Sequence, residues 1–204
     1  MDTNKEKISY CIGFETGKNL KRQFVDMAIP LLIQGFSDAA MDAEPQLKKE
    51  EMTSLMQLLQ QQIQEQQKKF LQQLAEENRK EGEAFLVSNK EKEGVKILPS
   101  GLQYKVLKSG NGAHPTFLDT VTVHYRGTFI DGNEFDSSYA RGQPQAFPLN
   151  RVIPGWTEAL QKMKVGDRWQ LFIPPYLAYG EAGFNNMIPP NATLIFEMEL
   201  LAIN

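Results

Sequence analysis

The sequence predicts an α+β domain placed behind an all-α N-terminal region and a long connecting helix. Three observations lead there. Residues 91–204 are rich in Gly, Pro, aromatic and β-branched residues and hold several strand-like runs but one short helical stretch. From Lys48 to Asn89 there is no proline, and Glu, Gln, Lys, Leu and Met dominate. Residues 1–44 carry two helix-like segments. One short helix set against several strands is the mark of an α+β domain. The expected division is therefore 1–44, 45–90 and 91–204.

In the first segment, "ISYCIGFETGKNLKRQF", Ile8, Ile12, Leu20 and Phe24 recur near helical spacing. Gly13 and Gly17 lie four apart and share a face. Glycine costs about 1 kcal/mol against alanine inside a helix. A pair at this spacing points to close approach of another helix backbone, with simple tolerance as the alternative. The second segment runs from Ile29 to about Met41, with Pro30 suited to a first turn. Leu32, Ile33, Phe36 and Ala40 are its expected buried face. These segments hold too few large residues for a private core. They need a partner, either the third region or a second copy of the chain. Cys11 is the only cysteine, so no intrachain disulfide is possible, and it is expected to be a small buried helix residue.

The connecting helix carries an apolar stripe of Met52, Leu55, Met56, Leu59, Ile63, Phe70 and Leu74. About forty residues make a rod of ~60 Å. Its first half is expected to pack on the N-terminal helices. Past Leu74 the stripe thins into "AEENRKEGE", so the second half is expected to be solvated. A two-stranded coiled coil along the whole rod is the alternative.

In residues 91–204, "LQYKVL", "TVTVHYRGTF", "DRWQLFI" and "ATLIFEMELLAI" alternate or run apolar as strands do. Asp131-Gly132 is a hairpin signal. Pro154 to about Met163 reads as the one helix. His124 falls between Val123 and Tyr125 on a strand and reads as one face of a sheet.

Several chemistries are excluded. A net charge of −3 gives no electrostatic case for nucleic acid. Apolar runs fall far short of the ~20 residues a membrane span needs. Two histidines and one cysteine cannot build the usual structural zinc site, so no metal and no cofactor are expected. "GFETGK" at Gly13–Lys18 is one residue short of a phosphate-binding loop and lies within a helical pattern. No serine elbow, His-Glu-x-x-His or marked carboxylate dyad is present. What remains is a concentration of rings: Tyr125, Phe135, Phe147, Trp156, Trp169, Tyr179, Phe184 and Phe196. Trp169 reads as core.

At "VHYRGTFIDGNEFDSS", "VIPGWTEAL", "AYGEAG" and "IPPNATLIFEMELL" the sequence resembles the FK506-binding-protein (FKBP) family of peptidyl-prolyl isomerases, over roughly residues 100–204. "KISYCIGFETGKNLK" followed by a long helix is similar to the bacterial Mip-type subgroup. The resemblance implies an antiparallel half-barrel sheet around one short helix, with a pocket between them. It implies Trp156 as the pocket floor, and Tyr125, Phe135, Val152, Ile153, Ile188 and Phe196 as apolar walls. Asp136 and Tyr179 are the implied polar contacts, the Ile153 N–H the implied donor to a ligand carbonyl, and Arg141 the partner of Asp136. Phe147, Phe184 and Met187 complete the implied binding residues. Gln145, Phe184 and Met187 depart from residues common in the family and bear on substrate and inhibitor preference.

Such a site needs no acid, base or metal, because rotation about an X-Pro bond breaks only amide conjugation. The resemblance implies a V-shaped homodimer formed through the N-terminal helices, with Gly13 and Gly17 at the interface. Implied partners are proline-containing peptides, unfolded proteins and macrolide inhibitors of the FK506/rapamycin class. A non-catalytic holdase is the competing function. The charged "MDTNKEKISY" lacks the apolar core of an export signal, so a cytoplasmic location is expected. The alternative is periplasm or outer membrane, if Met1 restarts a processed form.

Overall fold

Thr3 starts the first helix, α1 (Asn4–Gln23), through a capping box in which its hydroxyl accepts from the Glu6 N–H and the Glu6 carboxylate accepts from the Thr3 N–H. A second helix, α2 (Ile29–Ala40), opens with Pro30 in its first turn, and α3 runs unbroken from Lys49 to Asn89. The structure, a computed structural model, describes residues 1–24 and 26–204. The chain divides into two compact units, Met1–Ile63 and Gln64–Asn204, so the division falls inside α3.

In the first unit no described side chain is buried. Ile8, Ile12, Phe14, Leu31, Ile33 and Phe36 are each more than half exposed. The expected burial of Ile33 and Phe36 is therefore not met within one chain. Cys11, expected to be buried, is exposed. Gly13 and Gly17 have open space where a Cβ would stand.

The second unit corrects the expected solvation of the second half of α3. Gly82 and Asn89 are buried, and Ala75, Asn78, Phe85 and Leu86 are partly so, at spacings that mark one helical face. That face lies on the sheet. Phe85 meets Phe172 with ring centroids 6.0 Å apart, and the Asn89 amide donates to Gln103 Oε1 at 3.0 Å. Asn78 donates to the Pro190 carbonyl at 2.8 Å. A Cβ on Gly82 would stand 3.2 Å from Thr193 Cβ and closer still to its hydroxyl, so glycine is what lets the helix seat here. The missed signal was polar. The face is built from two asparagines and a glycine, which an apolar-periodicity argument passes over.

Seven strands follow: β1 (Val95–Ile97), β2 (Gln103–Lys108), β3 (Thr120–Phe129), β4 (Glu134–Ser137), β5 (Gln145–Pro148), β6 (Arg168–Ile173) and β7 (Leu194–Ile203). All pair antiparallel in the order β1-β2-β6-β7-β3-β4, and β5 shares the outer edge of β3 with β4. The expected β3 matches in both bounds, and Gly132, with φ 89°, turns β3 into β4.

Along β3 and β7 the buried residues alternate: Val121, Val123 and Tyr125 on one, Leu194, Phe196, Met198 and Leu200 on the other. The short helix α4 (Pro154–Leu160) lays Trp156, Ala159 and Leu160 on that face. A Cβ on Gly155 would lie 2.6 Å from Ile173, so Gly155 sets the helix close to the sheet. Trp169 is 6% exposed and stacks on Tyr104 at 4.4 Å, as core. His124 lies on the other face of β3, stacked on Tyr139 at 4.5 Å.

Candidate active site

Between α4, β3, β4, β7 and the loop after β6 lies a cavity of about 440 Å³. Tyr125, Phe135, Asp136, Phe147, Val152, Ile153, Trp156, Tyr179, Phe184 and Phe196 line it, together with Arg151. Trp156, 5% exposed, is met nearly edge-on by Tyr125 at 5.0 Å, Phe147 at 5.6 Å and Phe196 at 5.1 Å. Phe135 meets Phe196 edge-on at 5.5 Å, and Tyr179 stacks on Phe184 at 5.0 Å. Edge-to-face pairs at these separations are each worth about 0.5–1.5 kcal/mol beyond the area they bury. The indole N–H of Trp156 is buried and has no partner among the described residues.

The walls depend on backbone that holds no side chain. Gly127 on β3 stands opposite Phe196 of β7 and pairs with Asp136 of β4. A Cβ there would lie 2.6 Å from Phe135 and 2.8 Å from Phe196. The register of β3 against β4 shifts between Gly127 and Thr128, and both Phe135 and Asp136 line the cavity. Ser138, fully buried, accepts from the Tyr125 N–H at 2.7 Å and holds the end of β4 to β3.

One polar cluster interrupts the rings. The Tyr125 hydroxyl donates to Asp136 Oδ2 at 2.6 Å and accepts from Arg141 Nη2 at 2.7 Å, while Arg141 Nη1 pairs with Asp136 Oδ1. Burial pushes the Asp136 carboxyl up, but the Tyr125 hydrogen bond and the Arg141 guanidinium outweigh it and hold the group below the ordinary aspartate range. Tyr125 is pushed up to about 12, first by burial and then by its donation to Asp136, with Arg141 opposing. Burial first, and the Asp136 charge second, raise Tyr179 as well. Neither the Tyr179 hydroxyl nor the Ile153 N–H donates to another described residue.

Arg141 does not line the cavity and reaches it through Asp136 and Tyr125. Ile188 is 4% exposed and sits in the core, joined to Phe184 by a short antiparallel bridge. Met187 is 53% exposed and also stands outside the lining. Between them and Phe184, Asn185 and Asn186 adopt φ of 47° and 55°, the left-handed pair of a tight hairpin turn. Sequence reasoning missed Arg151 and Gly127. Arg151 adjoins the quoted "VIPGWTEAL", so proximity was the available signal. Gly127 falls in "VHYRGTF", where a glycine inside a strand marks close approach.

Residues 112–201 match the FKBP-type peptidyl-prolyl cis-trans isomerase family, and residues 5–106 match the domain amino-terminal to such isomerases. The outer membrane protein MIP of Legionella longbeachae is 44% identical over 100% of this chain and 87% of its own length. The chain belongs to the FKBP-type peptidyl-prolyl cis-trans isomerases. It is accordingly an enzyme of X-Pro bond rotation. The FKBP-type 22 kDa isomerase of Escherichia coli K12 is 42% identical over 99% of this chain and 97% of its own length. The crystal structure of FkpA from E. coli superposes with a TM-score of 0.80 at 37% identity, covering 100% of this chain and 98% of that one. The α+β expectation thus stands, with helices before an antiparallel sheet that holds one short helix. Among the described residues no helix is long and apolar enough to cross a membrane. The cytoplasmic expectation gains no support from these relatives, one of which is named for the outer membrane.

Proposed function

We propose that this FKBP-type isomerase binds the proline ring of its substrate over Trp156 and works as a homodimer on unfolded protein clients. The observation that carries the site is a ring-lined cavity whose one carboxylate among the described residues, Asp136, is already matched by Arg141 and Tyr125. No lining group is poised to move a proton near neutral pH. The barrier of roughly 18–20 kcal/mol is amide resonance. Twisting the bond removes that conjugation and lowers the charge separation. An apolar wall of Tyr125, Phe135, Val152 and Phe196 then favours the twisted amide over the planar one. The Ile153 N–H and Tyr179 hydroxyl, both without acceptors among the described residues, are the proposed donors to the twisted carbonyl. A thousandfold acceleration requires about 4 kcal/mol. Asp136 fixes Tyr125 and contacts the ligand, and Phe147 and Phe184 narrow the cavity. Macrolides of the FK506/rapamycin class are the inhibitors this cavity is proposed to take.

The dimer is supported by α1 and α2, which leave Ile8, Ile12, Leu31 and Phe36 uncovered and keep Gly13 and Gly17 open to another backbone. The same uncovered apolar surface favours the holdase as a second reading. The two are separated by the double variant Tyr179→Phe, Asp136→Ala. Loss of X-Pro turnover together with loss of folding assistance for a proline-limited client supports catalysis as the function. Full assistance for a proline-free client by the inactive variant supports the holdase.

A further inference from the structure

Among the described residues, Arg151 is the one charged residue of the cavity lining whose side chain has no partner. Asp136, the other, is engaged by Arg141 and Tyr125. Among the described residues no carboxylate lies within ion-pair distance of Arg151, and it makes no side-chain hydrogen bond. Its backbone is nevertheless fixed. It closes the 3-10 turn Leu149–Arg151, in which Leu149 is fully buried, donates to the Asp119 carbonyl at 2.9 Å and accepts from the Thr157 hydroxyl at 2.8 Å. Two residues later comes the Ile153 N–H, the proposed donor to the substrate. A chain bound to that N–H would lie beside the same short segment that carries Arg151.

We propose that Arg151 is a specificity-determining residue, selecting substrates with an acidic residue directly flanking the isomerising X-Pro bond. The inference rests on the cavity being the substrate site. An unpaired cation of fixed origin beside an apolar pocket offers a carboxylate two parallel N–H donors. The position is exposed, so the preference is modest. Solvent-exposed pairs of this kind correspond to about 1.5- to 5-fold in an equilibrium or rate ratio. The chain as a whole is acidic, at −3, and its overall field works against anionic peptides. Salt separates the two effects. If the local pair with Arg151 dominates, added salt lowers the preference for an acidic peptide. If the overall field dominates, added salt raises it.

The test uses the full chain and exchange NMR on unlabelled peptides, which needs no coupled protease. Peptides carry Glu or the neutral isostere Gln immediately before the proline, or immediately after it. The readout is the Glu/Gln ratio of kcat/KM within each variant, which a general loss of folded protein does not move. The wild type is expected to give a ratio of about 1.5 to 5 in at least one register, falling towards one in 0.5 M salt. Arg151→Lys should retain part of the preference, Arg151→Gln should abolish it, and Arg151→Glu should invert it. Ratios near one in both registers, or a wild-type preference that survives Arg151→Gln, would overturn the inference. Wild-type inactivity on the Gln peptides would instead remove the substrate site on which it rests.

Discussion

Gly127→Ala is the most informative single substitution, because one methyl group that carries no polar atom should damage the site. Its Cβ would stand 2.6 and 2.7 Å from Phe135 ring carbons and 2.8 Å from Phe196. Carbon contacts become favourable near ~3.5 Å, so the rings must retreat by roughly 0.7–0.9 Å. Phe196 is 3% exposed and held edge-on against both Trp156 and Phe135, which leaves it nowhere to go. Phe135, partly exposed and part of the cavity lining, is the ring that must move. Overpacking of this kind costs about 1–3 kcal/mol. Opposing it, alanine loses less backbone entropy than glycine on folding, by about 0.5–1 kcal/mol. Gly127 does not need the left-handed region, so that gain is real. The net expectation is a loss of about 0–2.5 kcal/mol, read as a lower urea midpoint with an unchanged slope. Displacing a substrate wall by nearly 1 Å can cost up to ~100-fold in rate, and a loss of at least about tenfold in kcat/KM for X-Pro exchange is expected. A variant that is more stable than wild type and equally active would refute the packing argument.

Three further outcomes follow from the same geometry. Gly82→Ala should destabilise by about 1 kcal/mol despite its gain in helix propensity, because its methyl meets buried Thr193; adding Thr193→Ala should recover most of the loss, measured as a double-mutant cycle in urea. Tyr125→Phe should raise the Asp136 pKa, since it removes one of the groups that hold that carboxyl down. The folded carboxyl lies below its unfolded value, so the stability it contributes is present above the unfolded pKa of about 3.9 and is lost as pH falls through the folded one. In the variant that acid-side loss should move to higher pH, checked by a carbon-detected titration of Asp136 and urea melts between about pH 3 and 6. Sedimentation equilibrium should give twice the chain mass for residues 1–204 and a monomer for residues 64–204; a monomeric full chain would remove the dimer.

How much of this was legible without coordinates differs by kind of signal. β3 was legible to the residue, because Val121, Val123 and Tyr125 alternate with Thr122, His124 and Arg126 and turn signals bound the run. The short helix was legible from Pro154, which fits a first turn. The cavity rings were carried by motifs rather than by periodicity: in pattern alone Trp156 and Trp169 are alike, yet one floors the cavity and the other stacks on Tyr104 in the core. The seating of α3 was not legible, because Asn78, Gly82 and Asn89 make their contacts through hydrogen bonds and a missing side chain. Cys11, expected to be buried, is exposed, and Ile33 and Phe36 are uncovered within one chain, as the second-copy alternative allows. Helical patterning says that a face wants cover, and it does not say that the cover lies in the same chain.

The central claim is that the cavity accelerates X-Pro rotation by shape, apolarity and fixed hydrogen-bond donors, with no proton transferred. Its most direct test is the pH dependence of kcat/KM in protease-free exchange NMR with a Leu-Pro peptide. Among the described residues no histidine lines the cavity, Asp136 stays ionised from below its ordinary range upward, and Tyr125 keeps its proton to about 12. The expected profile is flat from about pH 5.5 to 9, since no essential acid or base titrates there. A bell or a single tenfold-per-unit limb within that window would show that activity depends on the protonation state of a titrating group and would contradict the account.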